Sequence, residues 1–444
     1  MWSPPAYAFA NEPSLKYETR VLVAENDEQD NFFRQAQWCP DGSSVLATAE
    51  RSELQVMYPP AMGTHVFQQP APVLDFAWFP GASAHDEASY CFLASVRECP
   101  LKLLHGADGR LRASYPIIDH RERFIAPHSL AFGPGTTNIF CGFEDAIEIL
   151  DMNRPGHEGT RLHTTPNKKS KDGLKGIISA LAFPPYTGSS ESYLAAGSLS
   201  PSGSNIALFD VSQSSDAAPV LFLDTGPHRV RAGVMQLQFS PTRPHLLYSS
   251  FRRHGSIYEW DIRGDGGIPS NIFVPGSGSL ASTRSRTNQK LRFDITSTGQ
   301  WLAVGDQMGD ISVFDLEAPA VHDDTTAGSA EPTLTEPVVS SVQPKSVFHA
   351  HEDAIGSVSF HPLEAELLSV SGSRHFDREP LSSPDDSDSS DSEVEADLDS
   401  TDGEVSSLQS PSSPSSKLSL SITRHRRRPH PVTLDNSVKL WSCG

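Results

Sequence analysis

Hydrophobic and polar residues alternate in short runs along most of the chain, and the clearest run is residues 233–264, GVMQLQFSPTRPHLLYSSFRRHGSIYEWDIRG. Met235, Leu237 and Phe239 alternate with Val234, Gln236 and Gln238, the period of two expected of a strand with one buried face. Phe239-Ser240-Pro241 ends the run, because proline removes a backbone donor and fixes φ. Leu246 to Ser249 restarts it, and Arg252-Arg253-His254-Gly255 turns the chain into a third strand at Ile257 to Asp261. Three short strands in about thirty residues cannot bury their own apolar faces, so copies of the unit must stack.

Weaker copies occupy residues 32–58, 73–104, 129–151, 176–210, 290–315 and 354–370. The aromatic that closes each first strand falls at Trp38, Trp78, Phe132, Phe183, Phe239, Phe293 and Phe360, at intervals of 40, 54, 51, 56, 54 and 67. These exceed the ~40–45 residues of a WD-type blade, as loop insertions would make them. Seven copies in one order predict an all-β fold, a seven-bladed WD-repeat β-propeller. A β-sandwich offers no reason for one motif to recur.

The seventh copy is interrupted. Residues 377–430 are rich in Ser, Asp, Glu and Pro, end in the basic cluster Arg424-His425-Arg426-Arg427-Arg428, and offer little to build a core, which predicts disorder. Asn436-Ser437-Val438-Lys439-Leu440-Trp441 then reads as the missing third strand, and residues 15–24 can supply an outermost strand that closes the ring. The predicted organisation is a flexible lead at 1–14, one propeller over 15–376 and 431–444 with 15–24 as closing strand, and a disordered acidic insertion at 377–430.

Composition adjusts this picture in four places. The 444 residues would otherwise suggest two or three domains, and the 31 Gly and 35 Pro suit a turn-rich β protein. Five cysteines without a CxxC pair or an even framework read as thiols in a reducing compartment. No basic segment followed by an apolar core opens the chain and no run of 18 apolar residues occurs, so a soluble intracellular protein without a membrane partner is expected. The net charge of −20 is uneven, since ten acidic residues and no basic one lie between Asp385 and Glu404. A DNA partner is not expected, and any RNA site must be a local basic patch.

No GxSxG, HExxH, GxxxxGK or Cys/His zinc spacing is present, so neither catalysis nor a cofactor or metal is expected. His349-Ala350-His351 resembles a metal pair, but a histidine about ten residues before the Phe360-His361-Pro362 turn is also where WD blades keep a structural one. Basic residues gather in three loops of adjacent blades: Lys168, Lys169, Lys171 and Lys175; Arg252, Arg253 and His254; Arg284, Arg286, Lys290 and Arg292. They could form one arc that neutralises RNA phosphates, or be solvated loops, and composition alone favours the second. Phe251, Tyr258 and Phe293 could stack on bases, though Tyr258 and Phe293 read better as core. Ser390 and Ser392 each precede a Glu by three residues, a context for an acidophilic kinase, while solvation needs no kinase. The basic cluster at 424–428 suits nuclear import and counter-charge equally.

Several longer segments resemble the WD-repeat telomerase Cajal body protein family: residues 33–42 (FRQAQWCPDG), 111–130 (LRASYPIIDHRERFIAPHSL), 139–143 (IFCGF), 153–156 (NRPG), 176–183 (GIISALAF), 260–263 (WDIR), 287–294 (TNQKLRFD) and 440–444 (LWSCG). The resemblance implies a non-catalytic scaffold that recognises a short box in the loops of box H/ACA small RNAs, telomerase RNA among them, and directs the particle to nuclear Cajal bodies. By the same resemblance Arg252 and Arg253, at the family's Ala-Arg-Lys turn, face RNA, followed by Lys290 and Arg292 and by His128 of the His-Ser-Leu motif. Blade five departs from the pattern, reading Gly226-Pro227-His228-Arg229-Val230 where the family has Gly-Gly-His-Gln-Gly. A more distant branch is tied to spliceosomal snRNA, which leaves a second reading open: a protein–protein scaffold in a nuclear complex without direct RNA contact. A monomeric propeller with small non-coding RNA and ribonucleoprotein partners is expected, nuclear with a second, cytoplasmic pool.

Overall fold

The alternating runs become strands, which the computed structural model groups into seven successive blades. It describes residues 4–21, 31–59, 62–166, 170, 172–185, 193–211, 219–228, 230–264, 266–276, 287–317, 339–376 and 431–444. The innermost strands of blades one to seven are Phe33–Trp38, Val73–Trp78, Ser129–Phe132, Ile178–Ala182, Val234–Phe239, Asp294–Ile295 and Ile355–Phe360. Each leads a four-stranded antiparallel sheet, and blade five gains a fifth, parallel strand, Ser340–Val342, beside Asn271–Phe273.

The core lies between blades, which is the physical reason one unit cannot stand alone. Trp78 and Phe92 of blade two pack with Leu46 and Leu54 of blade one. Tyr248 and Phe273 of blade five pack with Phe293 and Phe314 of blade six. Phe33 and Trp38 of blade one pack with Leu368, Val370 and Leu440 of blade seven, so the ring closes on itself. Blade seven is assembled from both ends of the chain. Ser14–Arg20 pairs antiparallel with Ser437–Ser442, which pairs with Glu366–Ser371.

Two polar arrangements hold this composite blade. His351 is buried, its Nδ1 at 3.0 Å from Asp435 Oδ2 and its Nε2 at 2.7 Å from Ser369 Oγ, while Trp441 Nε1 donates to the same hydroxyl at 2.9 Å. Burial pushes the His351 imidazole down, which keeps it neutral and suits a chain of donors from Trp441 through Ser369 and His351 to Asp435. Both ring nitrogens of His351 are thereby engaged inside the blade, the arrangement of a structural histidine. The second arrangement centres on buried Asp353. Its carboxylate accepts from Ser373 N at 3.1 Å, from Ser373 Oγ at 2.6 Å and from Leu434 N at 3.4 Å, with His375 Nε2 at 3.0 Å, so one side chain gathers chain on both sides of the interruption.

Two sequence expectations change. Of the first 14 residues, read as flexible, Tyr7 to Phe9 are docked: Phe9 is 3% exposed and meets Trp301 edge-on at 4.9 Å between ring centroids, and Ala8 N donates to Cys443 O at 2.7 Å. Aromatic side chains are well suited to filling a seam, here between blades six and seven. The closing strand spans 14–20 where 15–24 was expected, and residues 22–24 lie outside the described residues. So does the interruption over 377–430.

Candidate nucleic-acid interface

The innermost strands are stitched to their neighbours by polar side chains. In five blades a bulge falls near the start of this strand, after Phe33, Val73, Ile178, Val234 and Ile355. A bulge re-aims the side chains beside it. Asp75 Oδ2 accepts from Leu130 N of blade three at 3.0 Å, Ser179 Oγ donates to Val234 O of blade five at 2.6 Å, and Ser357 Oγ accepts from Ala36 N of blade one at 2.8 Å.

Blade six breaks the pattern, and this positions the first basic group. Its inner strand is only Asp294–Ile295, and the residues before it turn inward across the ring. Gln236 of blade five exchanges hydrogen bonds with both backbone groups of Phe293, and Asp294 accepts from Gln238 Nε2 and Phe360 N. Arg292 forms a parallel bridge with Ser357 of blade seven, and its guanidinium donates to Asp75 Oδ1 of blade two at 2.8 Å, with side chains 19% and 7% exposed. Lys290 Nζ donates to Ser179 O of blade four at 3.1 Å. Lys290 as a residue is half-buried, yet its ammonium sits in dense surroundings, and burial and then Arg292 push it down to about 7. His128 is half-buried nearby and is pushed below its ordinary value by burial and then by Lys290 and Arg97. The structure thus brings Lys290, Arg292 and His128 together at the ring axis.

Arg252 and Arg253 are elsewhere on the same face. In a blade whose strands run from inside to outside, the turn between the second and third strands shares a face with the connection into the next blade. The blade-five turn, between Leu246–Phe251 and Ile257–Asp261, therefore lies on the side from which residues 287–293 approach the axis. Four such turns hold a non-glycine residue at positive φ: Ser52 (66°), Glu98 (58°), Asp145 (56°) and Arg253 (60°). The turn geometry is shared. The chemistry is not, because only Arg253 of these four carries a positive charge. Among the described residues no side-chain hydrogen bond or ion pair engages Arg252 or Arg253. Lys168, Lys169, Lys171, Arg284, Arg286, Ser390 and Ser392 lie outside the described residues, and Lys175 sits on the approach to blade four.

A cavity of about 750 Å³ lies beside Arg253 and is walled on its far side by residues that flank Lys290. It runs between blades five and six, with Arg253, His254 and Tyr258 on one side, Thr287, Gln289 and Leu291 on the other, and the blade-six turn at Asp306 to Met308 completing the wall. Phe251 and Tyr258 are 3% and 2% exposed, so neither presents a free ring face, and Phe293 is wholly core. Gly309 closes that blade-six turn at φ +88°, where a Cβ would meet His351 O at 1.7 Å. Asp75, which anchors Arg292, was not singled out from sequence, although an acid within the apolar run Val73-Leu74-Asp75-Phe76 is itself a signal. Ser250 carries no such signal.

Comparison with known proteins extends the resemblance over most of the chain. It is 29% identical over 393 residues to the mouse telomerase Cajal body protein 1, covering 85% of this chain and 65% of that protein. The human telomerase Cajal body protein 1 is 30% identical over 373 residues, with 81% and 60% covered. A fission-yeast protein, guanine nucleotide-binding protein negative regulator 1, is 25% identical over 310 residues, with 66% and 73% covered. The chain thus spans less than two thirds of the length of these mammalian relatives. No family model matches it.

Proposed function

From a chain homologous to the telomerase Cajal body proteins, we propose a scaffold that docks a loop of small nuclear RNA, of the box H/ACA or spliceosomal class, on the face carrying Arg252 and Arg253, without catalysing a reaction. The observation that carries this reading is the blade-five turn. At a position where equivalent turns hold Ser52, Glu98 and Asp145, this one offers two arginines that no described carboxylate engages. In an acidic protein such a patch suits phosphates, and the arginines would fix the strand while bases are read by hydrogen bonding and stacking. His128, Lys290 and Arg292 would shape the centre of that face. The proposal extends to assembly or retention of a ribonucleoprotein in nuclear Cajal bodies, a location that the relatives' name supports, and Ser390 and Ser392 remain kinase sites proposed on sequence alone.

A protein–protein scaffold is the second reading, favoured by the fission-yeast relative, whose name is that of a G-protein regulator. Sequencing of RNA crosslinked to the full chain in cells separates the two. Enrichment of H/ACA or spliceosomal RNAs over a control propeller is expected, and recovery no better than that control would overturn the RNA reading.

A further inference from the structure

We propose that the cavity between blades five and six receives one unstacked nucleobase of single-stranded RNA, with the adjoining phosphate held at its mouth by Arg253. The proposal rests on the RNA reading above and makes it specific. At about 750 Å³ the cavity lies within the range of small-ligand pockets, ~300–1,000 Å³. Its floor is apolar, made by Phe251, Tyr258 and Ile272. Its mouth carries exposed His228 and Arg253 and the 46% exposed Met308, an imidazole, a guanidinium plane and a polarisable thioether against which a base can stack.

The wall carries a further signal. Ser250 Oγ and His254 Nδ1 are buried and have no hydrogen-bond partner, and both residues line this one cavity. Buried polar atoms without partners are uncommon in folded proteins. Both atoms are shielded in the present side-chain positions. A rotation about the Ser250 side chain would present its hydroxyl to a ligand and forfeit no protein hydrogen bond, whereas turning the His254 ring to present Nδ1 would give up the 3.4 Å contact of its Nε2 with Tyr258 Oη. Burial pushes the His254 imidazole below its ordinary value, which makes it a neutral ring able to accept or donate according to tautomer. The edge of a base offers donors and acceptors of both kinds.

The polarity of binding follows from charge. Asp306 and Asp310 lie on the blade-six wall and disfavour a phosphate inside, whereas Arg253 at the rim favours one there. An apolar peptide side chain would fit the floor but would leave Arg253 and the two polar atoms without a use, so the nucleotide is the better match.

The test uses the full chain and a labelled single-stranded RNA pool of random sequence with 4-thiouridine in place of uridine. Crosslinks mapping to residues 250–258 or 287–308 are expected. Ser250→Ala with His254→Leu should weaken binding roughly tenfold, the loss of one to two hydrogen bonds. Ser250→Ala alone removes a hydroxyl with no partner and keeps the test open should His254→Leu fail to fold. Unchanged affinity in the folded variants, or crosslinks confined to other segments, overturns the proposal and leaves the RNA reading standing if Arg252→Glu/Arg253→Glu still weakens binding roughly tenfold or more. Failure of the unaltered chain to bind any RNA sinks the RNA reading, and this proposal with it.

Discussion

Two basic groups share one face of the ring and differ in what their charges are bound to. At the axis, Arg292 is tied to Asp75 and Lys290 to a backbone carbonyl, so these side chains span blades two, four and six. On the blade-five turn, Arg252 and Arg253 have no such partner among the described residues. Both pairs look alike in a sequence, as Arg or Lys in a loop between strands. The difference teaches that charge in a closed ring can serve the ring itself, and that a ligand-facing cation is recognised by what fails to neutralise it.

A large loss of stability should come from breaking the axis. Asp75→Ala leaves Arg292 without its carboxylate and Leu130 N without an acceptor, and should destabilise the fold by about 3 kcal/mol, read as a lower urea midpoint. Unchanged stability would mean that the axis is not a structural knot. Reversal of the other group, Arg252→Glu/Arg253→Glu, should leave stability within about 0.5 kcal/mol. It should also cut RNA affinity roughly tenfold or more and lower the salt slope by about two. A preserved salt slope in a filter-binding titration would show that these arginines touch no phosphate.

The last effect concerns protons. Lys290 in the folded chain titrates at about 7 against an ordinary 10.5, so between those values the unfolded chain binds more protons and stability rises with pH. Below about pH 7 both states are protonated and the penalty is fully present. Lys290→Met should flatten that rise in thermal melts taken across the window. An identical slope in the variant would show that Lys290 is not desolvated at the axis.

The blades were legible because a period of two and a recurrent aromatic-proline turn are local signals, and closure by the amino-terminal strand followed from counting third strands. The docking of Tyr7 to Phe9 was not, since nothing around Phe9 has a strand pattern and its partners Trp301 and Phe360 lie some 300 residues away. The axis was hidden for a similar reason. The sequence TNQKLRFD leads into a first strand like any other copy, and the contact of Arg292 with Asp75 spans 217 residues. At the site, the basic turn was visible, while its cavity and the unpartnered Ser250 arise only when blades five and six are set side by side.

The clasp at Asp353 has a consequence for how this chain can change. Because Ser373, His375 and Leu434 converge on one carboxylate, the two ends of the interruption meet at a fixed port whatever lies between them. Lengthening a loop whose ends are already joined adds only about 0.6 kcal/mol for each doubling. The last blade is therefore a natural grafting point, at which evolution or an engineer can splice in new sequence while the seventh sheet keeps its register.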